Sequence, residues 1–352
     1  MVPPRRGAST AKGGSVNLKE LSLHLGLSQT TVSRALNGYP EVGEETRKRV
    51  VDAAGRFHYR PNANARRLAT GRAGAIGIVF PVGENWLLDP HFTEFLAGIA
   101  GRGAEADTDL LVSATHETEE EGYRRLARMR SADVVILSAP LVKDSRLALL
   151  ARLGLPTIVH GRTISAEPYA HLDIDNESAF RSATEHLIER GHRRIGLING
   201  DTRQTFATNR EAGWRKALVA RGVGVDERLN LSGPMTEQAG YLAARRLMEP
   251  THRPSALLCS SMVSALGVGR ALADLKLAVG RDVALVAHDD GLPFIRPESM
   301  QPPLTTTFSS IRAAGKRIAE MAMALGSGES VETLQEVWHV ELLVRGSSSI
   351  AK

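Results

Sequence analysis

The sequence predicts an all-α helix-turn-helix headpiece followed by an α/β body made of two doubly wound parallel-sheet subdomains. Three observations predict this. Residues 18–37 read as two short amphipathic helices joined at a glycine. From Ala75 onward, short apolar runs alternate with helical stretches of about 15 residues, the pattern of β-α-β units, and two such series follow one another. Charge divides at the same place: residues 1–72 hold 13 Lys/Arg against 5 Asp/Glu, whereas the remainder holds 31 against 34. A basic N-terminal fifth on a mildly acidic body fits a nucleic-acid module joined to a sensor for a neutral ligand. At 352 residues the chain exceeds one ordinary domain.

The first 15 residues, MVPPRRGASTAKGGS, lack the apolar core of a secretory signal and read as a disordered basic extension. Leu18, Leu21 and Leu25 then fall on one helical face. Gly26 stops that helix, because glycine enters a left-handed turn without strain. Leu27 plugs the angle, and Ser28 caps a second helix, Gln29 to Asn37, with Val32 and Leu36 facing inward. That leaves Gln29, Thr30, Thr31, Ser33 and Arg34 outward. Helix-turn-helix proteins insert such positions into the major groove, where Arg grips guanine and Gln grips adenine through paired hydrogen bonds. A third, basic helix follows in VGEETRKRV. Residues 60–72 form a hinge: Pro61 can open a helix, but residues 62–69 are too few to be stably helical alone in water.

The first body series comprises AIGIVF, DLLVSA, DVVILS and PTIVHG. The second comprises RIGLING, LNLSG, SALLCSS and DVALVAHDD, with helices through TNREAGWRKALVARG and YLAARRLM. Ligands bind such sheets at the carboxyl ends of their strands, and a cleft between two of them can close around a small molecule. His160 and Arg162, at the end of TIVHGR, are therefore expected at the cleft mouth. Trp86, after the first strand, offers a flat surface to a sugar ring or simply packs its loop.

Several function classes have no support. Cys259 sits alone in an apolar run, so there is no disulfide framework and no nucleophile. No stretch is long and apolar enough for a membrane span. GVGV at 222–225 and GVGR at 267–270 supply two glycines without the strand-to-helix context of a dinucleotide loop. HExxH, P-loop and GxSxG motifs are absent from the sequence. A nucleotide-dependent α/β enzyme is thus disfavoured; neither cofactor nor metal is expected, and the chain is expected in the cytoplasm.

The run LSQTTVSRALNG, preceded by LKELSLHLG and followed by VGEETRKRV and YRPNANARRLATG, resembles the DNA-binding headpiece of the LacI/GalR repressor family over about fifty residues. The body resembles that family's periplasmic-binding-protein-like sensor in HLDIDNESAF, LIERGHRRIGLI, NREAGW, HDDG, PPLTTT and ELLVRGSS. The resemblance implies a homodimeric repressor of a sugar-uptake or catabolic operon. Its partners would be palindromic double-stranded operator DNA and a small sugar effector such as a glucoside or disaccharide. A sugar phosphate or sugar acid is the alternative ligand. No counterpart of the family's tetramer-forming leucine-repeat tail follows Arg345, hence the expected dimer.

Carried over position by position, Gln29, Thr30 and Arg34 would read bases. Asn17, Thr31, Ser33, Asn37 and Tyr59 would contact phosphates. Asn62, Ala65 and Leu68 would enter the minor groove, with Leu68 as a wedge between base steps. Arg210 and Asp289 would grip the effector, accompanied by Trp86, His160, Arg162, Met235 and Ser261. Five positions at four places depart from the family. Ser22 stands for the usual alanine, Gly43 for a Ser or Asn cap, Ser261-Met262 for an Asn-Asp pair, and Met235 for a frequent aromatic. The last two imply a ligand larger or less polar on one side than a simple hexose.

The implied division is a basic extension at 1–15, a DNA-binding domain at 16–59, a hinge at 60–72 and a sensor at 73–352. Within the sensor, an N-subdomain is expected at about 73–173 and 304–327, and a C-subdomain at about 174–303 and 328–352. The chain would then cross between them near Asp173–Asn176, Leu304–Thr307 and Ser327–Val337.

Overall fold

The computed structural model describes residues 16–36, 38–59, 71–82, 88–116, 118–250 and 253–349. The chain forms two compact units, Met1–Arg72 and Ala73–Lys352. Asn37, the hinge positions Asn62, Ala65 and Leu68, and Trp86 lie outside the described residues.

The first unit holds α1 (Leu18–Leu25), α2 (Gln29–Leu36) and α3 (Glu44–Arg56). Gly26 ends α1 in the left-handed region at φ 65°, and its amide donates to the Leu23 carbonyl. Leu21, Val32, Ala35, Val42, Val50, Ala53 and Ala54 form the core, with Leu18, Leu25, Leu27, Leu36 and Phe57 packed around it. Ser22 fits inside because its hydroxyl donates to the Lys19 carbonyl at 2.8 Å. A buried hydroxyl is tolerated when a partner is that close.

The second unit carries two six-stranded sheets. The first contains β1 (Ala75–Pro81), β2 (Asp109–Thr115), β3 (Val134–Ser138), β4 (Thr157–His160), β5 (Ala170–Ile174) and β11 (Gln335–Trp338), in the order β11-β5-β4-β3-β1-β2. The second contains β6 (Ile195–Asn199), β7 (Asn230–Ser232), β8 (Ala256–Cys259), β9 (Ala284–Asp289), β10 (Thr305–Phe308) and β12 (Glu341–Leu343), in the order β12-β10-β9-β8-β6-β7. Pairing is parallel except between β10 and β12.

Each sheet is covered on both faces, as a parallel sheet requires. On the first, Ile76, Ile78 and Phe80 face α4 (Pro90–Glu105) and α11 (Ile311–Gly326). Val79, between them, faces α5 (Glu119–Met129) and α6 (Ser145–Arg152). On the second, Ala256 and Leu258 pack with α7 (Asn176–Glu189) and α8 (Thr205–Ala220). Leu257 and Cys259 point the other way, to α9 (Glu237–Leu247) and α10 (Met262–Asp274). The two-residue period of a strand thus separates the core layers. Trp214, fully buried on α8, keeps its indole N–H satisfied by donating to the Ile195 carbonyl at 3.2 Å.

The crossings differ from expectation at two of three places. The first lies between β5 and α7, at Asp175, within the expected window. The strand containing Thr305–Thr307 belongs to the second sheet, so the next crossing falls after it, at Ser309–Ser310, and α11 then covers the first sheet. β11 completes the first sheet, and the third crossing falls at His339–Val340. Short strands explain both differences: β10 and β11 contain four residues each and β12 three, too few for a period to register.

Candidate functional site

In the first unit, α2 turns Val32 and Ala35 inward, which sends Gln29, Thr30 and Arg34 to solvent. Ser28 caps the helix by accepting from the Thr31 amide at 3.0 Å, and its hydroxyl lies 2.8 Å from that of Thr31. Arg34 is half exposed, 3.7 Å from Glu41. Such a surface pair is weak, so the guanidinium is free to exchange Glu41 for a base edge. Asn17 serves as the N-cap of α1: it accepts from the Glu20 amide at 3.0 Å, while the Glu20 carboxylate accepts from the Asn17 amide at 2.9 Å. Tyr59 is half-buried against the headpiece core, and burial raises its phenol pKa.

In the second unit a cleft of about 690 Å³ lies between the two sheets, at the carboxyl ends of their strands. Arg210, 5% exposed on α8, reaches into it. Its Nε donates to Asn176 Oδ1 at 2.7 Å and its Nη1 to the Ser260 carbonyl at 2.5 Å. The guanidinium lies over Phe206 and Phe180, at 4.9 and 5.1 Å from the ring centroids. Burial draws its pKa down to about 10 against the pull of Asp290 and Asp173, so it stays charged at neutral pH. Asn176 continues the chain by donating to Asp173 Oδ1 at 3.4 Å, and Asp173 in turn accepts from Arg162 Nε at 2.8 Å.

The acid beside the cleft is Asp290 rather than Asp289. Asp289 ends β9 and its carboxylate accepts from the Gly291 amide at 2.9 Å, outside the cleft lining. Asp290 lines the cleft and lies 3.3 Å from His91 Nε2 on α4 and 3.4 Å from His288 Nε2. His288 is fully buried, and burial, with Arg210 nearby, lowers its pKa; its other ring nitrogen meets the Thr307 hydroxyl at 2.9 Å. His91 is therefore the counter-charge. Burial works against that charge, but Asp290 and Asp89 outweigh it and lift the His91 pKa to about 10. Asp290 is held well below the carboxylate range despite its burial. No group of three or more His, Cys, Asp or Glu among the described residues is arranged to hold a metal.

His91 belongs to the first subdomain and Asp290 to the second, so this ion pair ties them together. A second tie is made by backbone: the Val142 amide donates to the Arg203 carbonyl at 3.1 Å, and the Thr205 amide to the Pro140 carbonyl at 3.0 Å. A raised histidine pKa gives stability that is complete below about pH 6.5 and lost as pH rises towards 10. The stability gap between the native protein and His91→Gln should therefore narrow between pH 7 and 10. Thermal unfolding at several pH values measures it; a constant gap would contradict the charged pair.

The remaining expected residues divide. His160 lines the cleft, stacked on Phe95 with centroids 4.3 Å apart, and burial lowers its pKa to about 4. Met235 also lines it. Arg162 is committed to Asp173 outside the lining. Ser261 is fully buried as the N-cap of α10, accepting from the Ser264 amide at 3.1 Å, and does not reach the cleft. Asp89, His91, Asp173, Asn176, Phe206 and Asp290 were not singled out from the sequence. The motifs HLDIDN and HDD contained three of them.

Comparison with known proteins now adds to this geometry. Residues 17–62 match the family model for bacterial regulatory proteins of the lacI family, and residues 184–348 that for a periplasmic binding protein-like domain. The HTH-type transcriptional regulator AglR of Rhizobium meliloti is 46% identical over 96% of this chain and 95% of its own length. This chain belongs to the LacI family. The RafR regulator of Escherichia coli, at 34% identity over 92% of this chain and 96% of its own, is a further relative. A solved complex of the transcriptional regulator CelR with cellobiose superposes with a TM-score of 0.70 at 27% identity, covering 94% of this chain and 99% of that one. The lac repressor dimer bound to operator and the anti-inducer ONPF shares the fold, with a TM-score of 0.78 at 24% identity over 96% of this chain and 100% of that one. As a LacI-family member the chain is a DNA-binding transcriptional regulator. No helix among its described residues is long and apolar enough to cross a membrane.

Proposed function

We propose that this LacI-family protein is a homodimeric repressor of sugar-uptake or catabolic genes whose affinity for palindromic operator DNA is set by a neutral sugar in the cleft. Gln29, Thr30 and Arg34 read bases, Thr31 and Ser33 meet phosphates, and residues 60–72 serve as the hinge. Arg210 and Asp290 hold the sugar. The observation that carries the ligand class is the charge around the cleft. Among the described residues, Asp89, Asp173, Asp201 and Asp290 line it against the positive charges of Arg210 and His91. His160 is neutral and Arg162 is spent on Asp173, so neither joins Arg210 among the described residues in offering positive charge to an anionic sugar. Carboxylates and a guanidinium together accept from and donate to the hydroxyls of a polyol. CelR, whose solved structure is a complex with cellobiose, supports a sugar ligand.

The test begins with a palindromic duplex selected from a random pool by the full-length protein. Arg34→Ala should weaken binding to it by about 1–3 kcal/mol and relax the preference at one base position in each half-site. Neutral sugars should change operator affinity in the same anisotropy assay, and sugar phosphates should not. Equal losses by Arg34→Ala on selected and random DNA would remove the base-reading role. A response to anionic sugars alone would overturn the ligand assignment.

A further inference from the structure

The second unit begins at Ala73, directly after the residues read as the hinge. There one side chain takes hold of the chain. Asp133, just before β3, accepts from two successive amides: that of Ala73 on Oδ1 and that of Gly74 on Oδ2, each at 2.7 Å. Adjacent N–H groups turned towards one carboxylate form a compact anion-binding concavity, and Gly74 completes it in the left-handed region at φ 66°. The Asp133 amide donates in return to the Ala75 carbonyl at 2.8 Å. Hydrogen bonds to an ionised acceptor are about twice as strong as neutral ones. The first residues of the sensor are thus clamped to the start of β3.

β3 lies inside the first sheet, between β4 and β1, and Val134, Val135, Ile136 and Leu137 are all buried. Its five residues span about 17 Å. At the far end Ser138, Ala139 and Pro140 line the cleft. The loop that follows is stiffened on its own side, where the Asp144 carboxylate accepts from the Leu141 amide at 2.9 Å. On its other side it reaches the second subdomain, because Leu141 and Gln204 form an isolated antiparallel bridge. The two hydrogen bonds of that bridge are those already described, from the Val142 and Thr205 amides. One buried strand therefore has the hinge exit fixed to one end and the tie between subdomains to the other.

Resting on the reading of residues 60–72 as the hinge, we propose that Asp133 is a positioning residue that couples the Leu141–Gln204 bridge, through β3, to operator affinity. Parting of the bridge shifts the end of β3, and the clamp makes Ala73 and Gly74 follow the strand. Without the carboxylate, two amides lose their acceptor and the hinge exit no longer has a fixed place. Such coupling is a free energy between two ends of one element, and a double-mutant cycle measures it.

Anisotropy titrations of the full-length protein with the selected palindromic duplex and with random DNA test this. Asp133→Asn keeps the shape and one acceptor but turns a donor towards the second amide. It should weaken the selected duplex at least about fivefold and random DNA less than about twofold. Asp133→Ala, which removes both acceptors without adding a donor, should do the same. Thr205→Pro unties the bridge at the other end of β3. Thr205 opens α8, where proline is tolerated, and Gln204 before it already has the extended backbone, φ −86° and ψ 139°, that a following proline requires. This change should shift affinity for the selected duplex at least about threefold in the native background and less than about 1.5-fold beside Asp133→Asn. Gly122→Ala crowds Val79 and Thr115 in the same subdomain without touching either tie, so it controls for lost stability and should stay within about twofold of native affinity. Thermal unfolding confirms that each variant is folded. Asp133 loses this role, while the operator reading stands, if its variants weaken both DNAs alike, if Gly122→Ala does as much, or if Thr205→Pro acts equally in both backgrounds or in neither. If no duplex is selected, the operator reading falls and this inference falls with it.

Discussion

Replacing Arg210 with methionine should lower sugar affinity at least about a hundredfold, a loss of about 2.7 kcal/mol or more, and leave a repressor that holds operator but ignores its effector. The methionine stem can keep the contact with Phe206 and Phe180. What it removes is the only arginine lining the cleft among the described residues, together with the donors to Asn176 Oδ1 and the Ser260 carbonyl. Asp173 and Asp290 then face the ligand with one positive partner fewer. Breaking a buried charged set costs about 3–5 kcal/mol because water cannot replace the lost partner. Part of that cost will appear as a lower melting temperature, so calorimetry with sugar and thermal unfolding without it are both needed. Sugar affinity within threefold of the native value would remove Arg210 from the site.

Gly267→Ala should destabilise the second unit by about 3 kcal/mol or more, although the change adds a single methyl. A Cβ at Gly267 on α10 would overlap the Glu237 carbonyl oxygen of α9 and crowd the Tyr241 amide. Across the same contact, a Cβ at Gly240 would overlap the Ser264 carbonyl. Backbone cannot step aside as a side-chain tip can, so the helices must part and loosen Ala244, Leu247 and Val268 beneath them. The melting temperature should fall by roughly 2–4 °C for each kcal/mol lost. Gly269→Ala is the control, since a Cβ there meets nothing within 4 Å. Alanine's higher helix propensity should make that variant neutral or slightly more stable. Equal melting temperatures for the two variants would refute the close-packing argument.

The headpiece was legible because its information is local. Gly26, Ser28 and the spacing of Leu18, Leu21, Leu25, Val32 and Leu36 fix helix ends and faces within a few residues, although Ala35 is buried more deeply than Leu36. The cleft was legible only in part. His160 could be placed there because a strand end is marked in the sequence, and Arg210 and Met235 through the family resemblance of the motifs around them. The choice between Asp289 and Asp290 was lost because adjacent residues at a strand end point to opposite sides, so a slip of one position reverses the assignment. Ser261 looked like a ligand but is a cap, a role that small hydroxyl residues fill wherever a helix begins. His91 gave no signal because Asp290, the partner that brings it to the cleft, lies about 200 residues further along the chain.

The threefold passage of the chain between subdomains bears on how such a protein can change over generations. The first sheet is closed by β11, which comes from the far end of the sequence, and is roofed by α11 from the same region. A recombination break placed between 175 and 309 would therefore hand each descendant an unfinished sheet. The break that leaves both products whole lies at residues 72–73, where the two compact units meet in sequence. New pairings of operator preference and ligand preference should arise there, by exchange of entire headpieces, while the ligand range itself should shift through point substitutions in the cleft lining.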